Sequence, residues 1–277
     1  MLDLAIVDEI ILRALKEDMP MGDITTDSTV PENEECQANL ITKENGVVAG
    51  LEVFERVFEL LNANAVIERF VKDGSHVANG TRMLHISGNA RAILKGERTA
   101  LNLLERMCGI ATATHRFTII LEGTGSKIVD TRKTAPGLRY LDKYAVRAGG
   151  GANHRFCLSD GVLIKDNHIK AAGGITNAVR MARKTVPHTI RIEVETESLE
   201  QVKEALDAGA DIIMLDNMPP ETMREAVKFI NGRALTEASG NITAEKADAV
   251  AKTGVDMISS GSLTHSVKAM DISLRFE

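Results

Sequence analysis

The amino-acid sequence predicts a mixed α/β protein: an N-terminal sandwich of helices and strands, then parallel strands and helices curled into a barrel, complete or not. Three observations predict this class. From about residue 125 onward, short aliphatic runs alternate with amphipathic helical segments, the pattern of a βα repeat over a parallel sheet. The residues that close the last four runs, Glu195, Asp216, Ser239 and Ser260, fall 21, 23 and 21 positions apart, so the polar chemistry keeps the period of the repeat. Before residue 90 the runs are shorter, alternate apolar with polar residues, and are punctuated by Gly74 and Gly80, the habit of small strands and turns.

Each element follows from its own residues. Leu4, Val7, Ile10, Ile11, Ala14 and Leu15 keep helical spacing and predict a helix that ends before Pro20. Asp18 to Thr26, with Pro20 and Gly22, predicts a turn-rich loop. Residues 36–50 predict a strand pair turning at Glu44-Asn45-Gly46, because Asn-Gly suits a two-residue hairpin turn. Residues 51–61 predict a short helix, 65–71 and 82–87 two strands, and 90–121 a mostly helical stretch. Val71 to Leu84 is somewhat like a biotinyl or lipoyl carrier module, but it lacks the exposed hairpin lysine flanked by Met or Ala; it is read as a structural sandwich.

Six later runs predict six strands: Ile128-Val129, Val162 to Ile164, Ile190 to Val194, Ile212 to Leu215, Ala234-Leu235 and Val255 to Ile258. Helices at 198–208 and 243–253 lie between them. Ser198 with Gln201 three residues on has the form of a capping box, and Thr243 is a second N-cap. Gly209, Gly232 and Gly254 stand where helices end.

Composition narrows the function. The 277 residues are 44% hydrophobic but only 3% aromatic, with no Trp, so the core is aliphatic and stacking platforms for single-stranded nucleic acid are scarce. The net charge of −6 disfavours a duplex-binding surface. No apolar run approaches the ~20 residues of a membrane span, and Asp3, Asp8 and Glu9 interrupt the N-terminus in a way foreign to a signal peptide. Cys36, Cys108 and Cys157 are odd in number and far apart, so neither a disulfide framework nor a metal clip is expected, and a cytoplasmic setting is. Residues 127–170 hold nine Lys/Arg against four Asp/Glu, which suits either a local anion site or a solvated basic helix face.

The strand ends carry Arg132-Lys133, Lys165, Glu195, Asp216, Ser239 and Ser260. Parallel α/β sheets place function at these carboxyl ends. In an open sheet of six strands the outer ends would lie about 24 Å apart, at ~4.8 Å per strand. Serving one small ligand therefore requires a curled sheet. Arg132, Lys133, His154, Arg155, Lys165 and His168 together suit a polyanion. Glu195 and Asp216 suit Mg²⁺ or ribose hydroxyls, or else salt bridges to the neighbouring cations. Ser239-Gly240-Asn241 and Ser260-Gly261-Ser262 suit backbone cradles for phosphate, or else plain turns. A phosphorylated sugar ligand fits this set, and transferases, aldolases and isomerases all remain open at this point.

Longer motifs go further. Asp130-Thr-Arg-Lys-Thr-Ala-Pro-Gly-Leu-Arg139, Gly149-Gly-Gly-Ala-Asn-His-Arg155, Leu158-Ser-Asp-Gly161 and Ile164-Lys-Asp-Asn-His168 closely resemble the quinolinate phosphoribosyltransferase family, the decarboxylating nicotinate-nucleotide pyrophosphorylases. Glu193-Val-Glu195, Met214-Leu-Asp-Asn217, Glu237-Ala-Ser-Gly-Asn241 and Ile258-Ser-Ser-Gly-Ser-Leu-Thr-His265 continue the resemblance in order. Glu17-Asp18, Gly22-Asp23-Ile-Thr-Thr26 and Gly96-Glu-Arg98-Thr-Ala-Leu-Asn102 extend it to the N-terminal part. No charged motif residue is missing.

The resemblance implies an N-terminal α+β open-faced sandwich (residues 1–110, with the tail 266–277 returning to it) and an incomplete, seven-stranded TIM-like α/β barrel (111–265); the six runs above fall one short. It implies that quinolinate and phosphoribosyl pyrophosphate, with Mg²⁺, give nicotinate mononucleotide, pyrophosphate and CO₂ in NAD biosynthesis. It implies a homodimer, or a higher oligomer built from it, with Arg98 reaching the neighbouring subunit's site. Carried onto this chain, the catalytic set is Lys133, Lys165, Glu195 and Asp216, with Glu195 and Asp216 also the metal pair. The substrate-binding set is Arg98, Thr131, Arg132, Lys133, His154, Arg155, Lys165, Glu195, Asp216, Ser239, Gly240, Asn241, Ser260, Gly261 and Ser262. Neither nucleic acid nor membrane is an expected partner. The rivals are a paralogue acting on another base, a Schiff-base aldolase using Lys165, and a non-catalytic binding protein on the same scaffold.

Overall fold

The computed structural model describes residues 2–277. In chain order the first elements are α1 (Leu4–Asp18), α2 (Ile24–Thr29), β1 (Glu35–Thr42), β2 (Gly46–Val47), α3 (Leu51–Leu60), β3 (Val66–Arg69), β4 (His76–Val77), β5 (Arg82–Asn89) and α4 (Ala90–Ile120). Then follow β6 (Lys127–Val129), α5 (Arg139–Ala148), β7 (Val162–Ile164), α6 (Asp166–Ala172), α7 (Ile175–Thr185), β8 (Ile192–Thr196) and α8 (Leu199–Asp207). The last are β9 (Ile212–Asp216), α9 (Pro220–Ile230), β10 (Leu235–Ser239), α10 (Ala244–Ala251), β11 (Met257–Ser259), α11 (Ser262–His265) and β12 (Ile272–Phe276). The chain divides into two compact units. One comprises the chain up to His115 with Thr134–Gly150 and Thr264–Glu277; the other comprises Arg116–Lys133 and Gly151–Leu263.

The first unit is built on an antiparallel sheet of order β12-β1-β5-β3. Alternation along β1 and β5 buries Ala38, Leu40, Leu84 and Ile86, and the register sets Leu40 opposite Leu84 and Ala38 opposite Ile86. Helices α3 and α4 bury Phe54, Phe58, Ile93, Leu101, Leu104 and Met107. Phe54 and Phe58 meet edge to face at 5.1 Å. Helix α1 runs as expected, with Asp3 accepting the Ala5 N–H and Val7, Ile10, Ile11 and Leu15 on its buried side. Arg106 and Asp142 form a two-pronged ion pair, both contacts 2.8 Å, on a fully buried carboxylate that also accepts the Ala135 N–H.

Two expectations fail in this unit. The 36–50 hairpin does not form: β1 pairs with β5 and β12, whereas β2 pairs with β4. Neither Asn45 nor Gly46 takes the positive φ of the tight hairpin turn. Gly46 serves close packing instead, since a Cβ there would lie 2.7 Å from both Met270 Sδ and Thr112 Oγ1. The turn-rich loop before Thr26 also gives way to helix α2, because the Asp23 side chain accepts the Thr26 N–H and caps it.

The second unit is a six-stranded parallel sheet of order β6-β11-β10-β9-β8-β7. Strand β6 comes first in sequence yet lies beside the last strand of the repeat, as it does when a sheet curls round on itself. A single parallel bridge, Val129 to Ala152, adds to the free side of β6. The seventh strand is reduced to that bridge, which leaves six strands and an incomplete barrel; the Gly149-Gly150-Gly151 run just before Ala152 gives no side chains to pack a longer strand. Helices α7 to α10 cover the sheet with Ala178, Val179, Val202, Ala205, Met223, Ala226, Ala247 and Val250. Ser198 caps α8 by accepting the Gln201 N–H at 3.3 Å, but Gln201 reaches back to the N–H of Glu197 rather than of Ser198. Among the described residues no helix is long and apolar enough to cross a membrane.

Candidate active site

The second unit gathers its polar side chains at the carboxyl ends of its strands. Asp130 follows β6 and is fully buried. Its Oδ1 accepts the His154 backbone N–H at 2.9 Å and its Oδ2 accepts the Asn153 side-chain amide at 2.7 Å. The segment Asn153-His154-Arg155 is therefore tied to the end of β6, next to Thr131, Arg132 and Lys133. Thr131 Oγ1 accepts the Lys133 N–H at 3.0 Å and turns the chain there. Arg132 and Lys133 are exposed, and Arg155 is partly buried with its guanidinium donating to the Gly161 carbonyl at 2.8 Å. Burial lowers the Arg155 pKa first, and the nearby positive charge of Arg132 lowers it further. An anion bound between these two guanidinium groups would offset both charges.

His154 lies below this surface. Its Nδ1 accepts the Arg155 backbone N–H at 2.7 Å, an assignment that puts the ring proton on Nε2. Nε2 faces Glu193 Oε2 at 3.1 Å and Glu237 Oε2 at 3.6 Å, and both carboxylates are buried. The neutral ring has both nitrogens engaged within the chain. Glu193 Oε1 and Glu237 Oε1 are buried with no hydrogen-bond partner. Burial raises the Glu237 pKa most, and Glu193 raises it further, against an opposing pull from His154. His154, Glu193 and Glu237 each offer a ligand atom within 4.8 Å of the others. A proton on Nε2 blocks that nitrogen as a metal ligand, so the hydrogen bonds favour a proton-linked cluster.

Around the sheet, Lys165 follows β7 and donates to Glu195 Oε2 at 2.8 Å. His168, counted with the cations in the sequence, accepts the Lys165 backbone N–H on Nδ1 at 3.0 Å and caps α6. Asp216 ends β9 beside Ser239, its register partner at the end of β10. Asn217 adopts φ 53° and donates its side-chain amide to Asp216 at 2.7 Å. Gly240 has φ +99°, and a Cβ on it would lie 2.8 Å from the Asn217 nitrogen, so only glycine fits that turn. Asn241 is also in the left-handed region. Ser260 donates its N–H to the Val129 carbonyl at 3.1 Å, and its hydroxyl lies 2.8 Å from that of Ser262, with Gly261 between them. Thr131, Arg132, Lys133, His154, Arg155, Lys165, Glu195, Asp216, Ser239 to Asn241 and Ser260 to Ser262 thus share one end of one sheet. Arg98 belongs to the first unit, exposed on α4.

Asp130, Glu193 and Glu237 had no assigned role in the sequence reading, although a signal was present. Each stands two positions before a residue that was singled out: Arg132, Glu195 and Ser239. Along a strand that spacing puts both side chains on one face, one level deeper. Asp130 lies just past the end of its strand.

Comparison with known proteins agrees along nearly the whole chain. The family described as "Quinolinate phosphoribosyl transferase, C-terminal domain" matches residues 110–275, and its N-terminal counterpart matches 23–108. The "Probable nicotinate-nucleotide pyrophosphorylase (carboxylating)" of Bacillus subtilis is 48% identical over 258 residues, 93% of this chain and 89% of that protein. The crystal structure titled as NadC from Streptococcus pyogenes superposes with a TM-score of 0.96 at 42% identity, covering 99% of this chain and 97% of that one. The nicotinate-nucleotide pyrophosphorylase structure from Francisella tularensis gives 0.95 at 40% identity, covering 100% and 98%.

Proposed function

This chain belongs to the quinolinate phosphoribosyl transferase family, and on that premise we propose that it transfers the phosphoribosyl group of phosphoribosyl pyrophosphate to quinolinate. CO₂ is lost, and nicotinate mononucleotide and pyrophosphate are released, a decarboxylating pentosyl transfer of NAD biosynthesis. The observation that carries the proposal is the placement of Arg132 and Arg155 at one strand end, where Asp130 ties residues 153 and 154 to the end of β6. Quinolinate brings two adjacent carboxylates, and guanidinium groups match carboxylates in charge and in fork geometry.

In this reading Arg132, Lys133 and Arg155 receive the carboxylates, with Thr131 shaping the turn and His154 supporting from beneath. Arg98 completes the pocket from the neighbouring subunit of a homodimer. The turns at Ser239-Gly240-Asn241 and Ser260-Gly261-Ser262 hold phosphate with backbone N–H groups. Glu195 and Asp216, at adjacent strand ends, take the ribose hydroxyls. They are hard oxygen donors of the kind Mg²⁺ takes alongside phosphate and water, and would hold it. Bound there, Mg²⁺ would offset the charge of the leaving pyrophosphate. The Lys165 ammonium, already paired with Glu195, fixes that carboxylate and adds positive charge near the leaving group.

The order of events follows from the chemistry. Departure of pyrophosphate gives the ribose oxocarbenium character, and the pyridine nitrogen attacks C1′. The ring nitrogen, now quaternary, stabilises through its positive charge the C2 carbanion left when the 2-carboxylate leaves as CO₂, and a proton from solvent then takes the place of the carboxylate at C2, so ribosylation precedes decarboxylation. No covalent nucleophile is required; positioning and electrostatics carry the reaction. The reducing cytoplasm suits the three free thiols of Cys36, Cys108 and Cys157.

The test is one assay with Mg²⁺, phosphoribosyl pyrophosphate and quinolinate labelled in its 2-carboxylate. Matched yields of labelled CO₂ and nicotinate mononucleotide are expected. Absence of CO₂ from folded protein that still binds phosphoribosyl pyrophosphate would sink the proposal and point to a transferase for another base.

A further inference from the structure

The cluster beneath the strand ends is expensive. Two carboxylates at adjoining sites, each nearly without solvent, keep one oxygen apiece unpartnered. Burying such groups costs several kcal/mol unless something is gained elsewhere, and the residues in register with Glu237 on the two neighbouring strands, Met214 on β9 and Met257 on β11, are apolar. Glu193 and Glu237 both face the ring of His154, and Glu237 is hydrogen-bonded in addition to Glu193 and to Ser259. That ring leads in turn to the backbone N–H of Arg155, while Asp130 holds the His154 backbone and the Asn153 side chain. Residues 153–155 lie outside any helix or strand, so side-chain hydrogen bonds do the work that a regular element would do.

We propose that Glu193 and Glu237 are positioning residues: through the Nε2–H tautomer of His154 they fix the backbone at Arg155 and so aim its guanidinium at the substrate carboxylate. The chain of contacts runs Glu237, Glu193, His154 Nε2–H, His154 Nδ1, Arg155 N–H. His154 acts as a rigid spacer within it. Its two nitrogens are both used, so it serves carboxylate recognition by orienting Arg155. This rests on the assignment of Arg155 to the quinolinate pocket, and the experiment below separates the two.

Reach and charge are told apart at Glu193. Glu193→Gln keeps an oxygen at the same distance to accept from Nε2–H, whereas Glu193→Asp keeps the charge but withdraws it by one methylene. Both variants remain polar and close in volume. The full-length enzyme is assayed for KM of each substrate, and hydrogen exchange at the Arg155 amide is followed by NMR, which needs no turnover. Expected are a quinolinate KM raised at least tenfold in Glu193→Asp, a phosphoribosyl pyrophosphate KM within twofold of the parent, and near-parent values in Glu193→Gln. Protection of the Arg155 amide should fall at least tenfold in Glu193→Asp and hold in Glu193→Gln. Glu237→Gln should also keep that protection.

Rescue by Asp instead of Gln would overturn the proposal in favour of a charge role. So would equal rises in both KM values, or an Arg155 amide whose exchange ignores all three variants. Stoichiometric divalent metal in purified protein, lost on Glu193→Gln, would replace it with a metal site. If wild-type protein shows no turnover of quinolinate, the functional reading fails, while the amide exchange still decides whether the two glutamates hold Arg155.

Discussion

In the first unit the buried faces of β1 and β5 present Ala38, Leu40, Leu84 and Ile86; in the second, Glu193, Thr196, Thr236 and Glu237 are buried among Ile192, Val194, Ile213 and Ala238. The antiparallel sheet buries no charged side chain; its buried polar groups are hydroxyls, at Thr42 and Ser273. The parallel sheet carries carboxylates into an interior where aliphatic side chains would cost less. Apolar residues of similar volume replace one another at small cost, whereas a buried carboxylate is tolerated only with partners that its geometry selects. The first region therefore answers to volume and the second to hydrogen-bond direction. The pair Arg106 and Asp142 is an exception inside the first unit, and it too ties down a loop, through the Ala135 N–H.

That contrast is open to attack at four points. The largest effect is expected from Phe54→Ala, which removes a fully buried ring facing Phe58 and should lower the unfolding free energy by about 3–5 kcal/mol in urea titration. The KM values of the remaining folded enzyme should not move; a changed KM at unchanged stability would break the division between packing and site. Next is Arg132→Ala, expected to lower kcat/KM for quinolinate roughly 100-fold, about 2.7 kcal/mol, with the phosphoribosyl pyrophosphate KM and the denaturation midpoint unchanged. Equal weakening toward both substrates would remove Arg132 from the carboxylate pocket.

A pH series sharpens the comparison further. Burial and the Glu193 charge push the Glu237 carboxyl up to about 7 from its ordinary 4.5. Between those values the folded protein keeps a proton that the unfolded chain has lost. Stability therefore falls as pH rises through that window, by up to about 1.4 kcal/mol per pH unit. Glu237→Gln should flatten this slope in denaturant titrations at several pH values, and a slope that persists would assign it to another group. The smallest effect belongs to Ser198→Ala, which removes the N-cap of α8 and should cost about 1 kcal/mol in stability.

Much of this was legible in the residues. The period of the second unit located all six strands, although the run at Ala234-Leu235 caught only the first residue of β10, and the loaded residues Lys165, Glu195, Asp216, Ser239 and Ser260 lie at or next to the strand ends of the structure. The α8 cap at Ser198 was equally plain, because a helix start is decided by the few residues around it. The hairpin at Asn45-Gly46 misled, since a turn-forming dipeptide states what a turn permits and not which strand lies alongside. Strand β1 has its partners 40 or more residues away, in β5 and β12. The seventh strand, one bridge at Ala152, leaves no apolar run to detect.

The sequence by itself determined the alternation of strands and helices, the aliphatic core and the set of cations, acids and small polar loops at one end of a sheet. These are consequences of local period and residue type. Only the tertiary structure decided which strands pair, that Glu193 and Glu237 converge on one imidazole, and that the tautomer of this imidazole is set by the amide of the next residue. Those outcomes depend on distances between residues far apart in sequence, and a hydrogen bond is made or lost over about half an ångström, a scale that no pattern along a chain records.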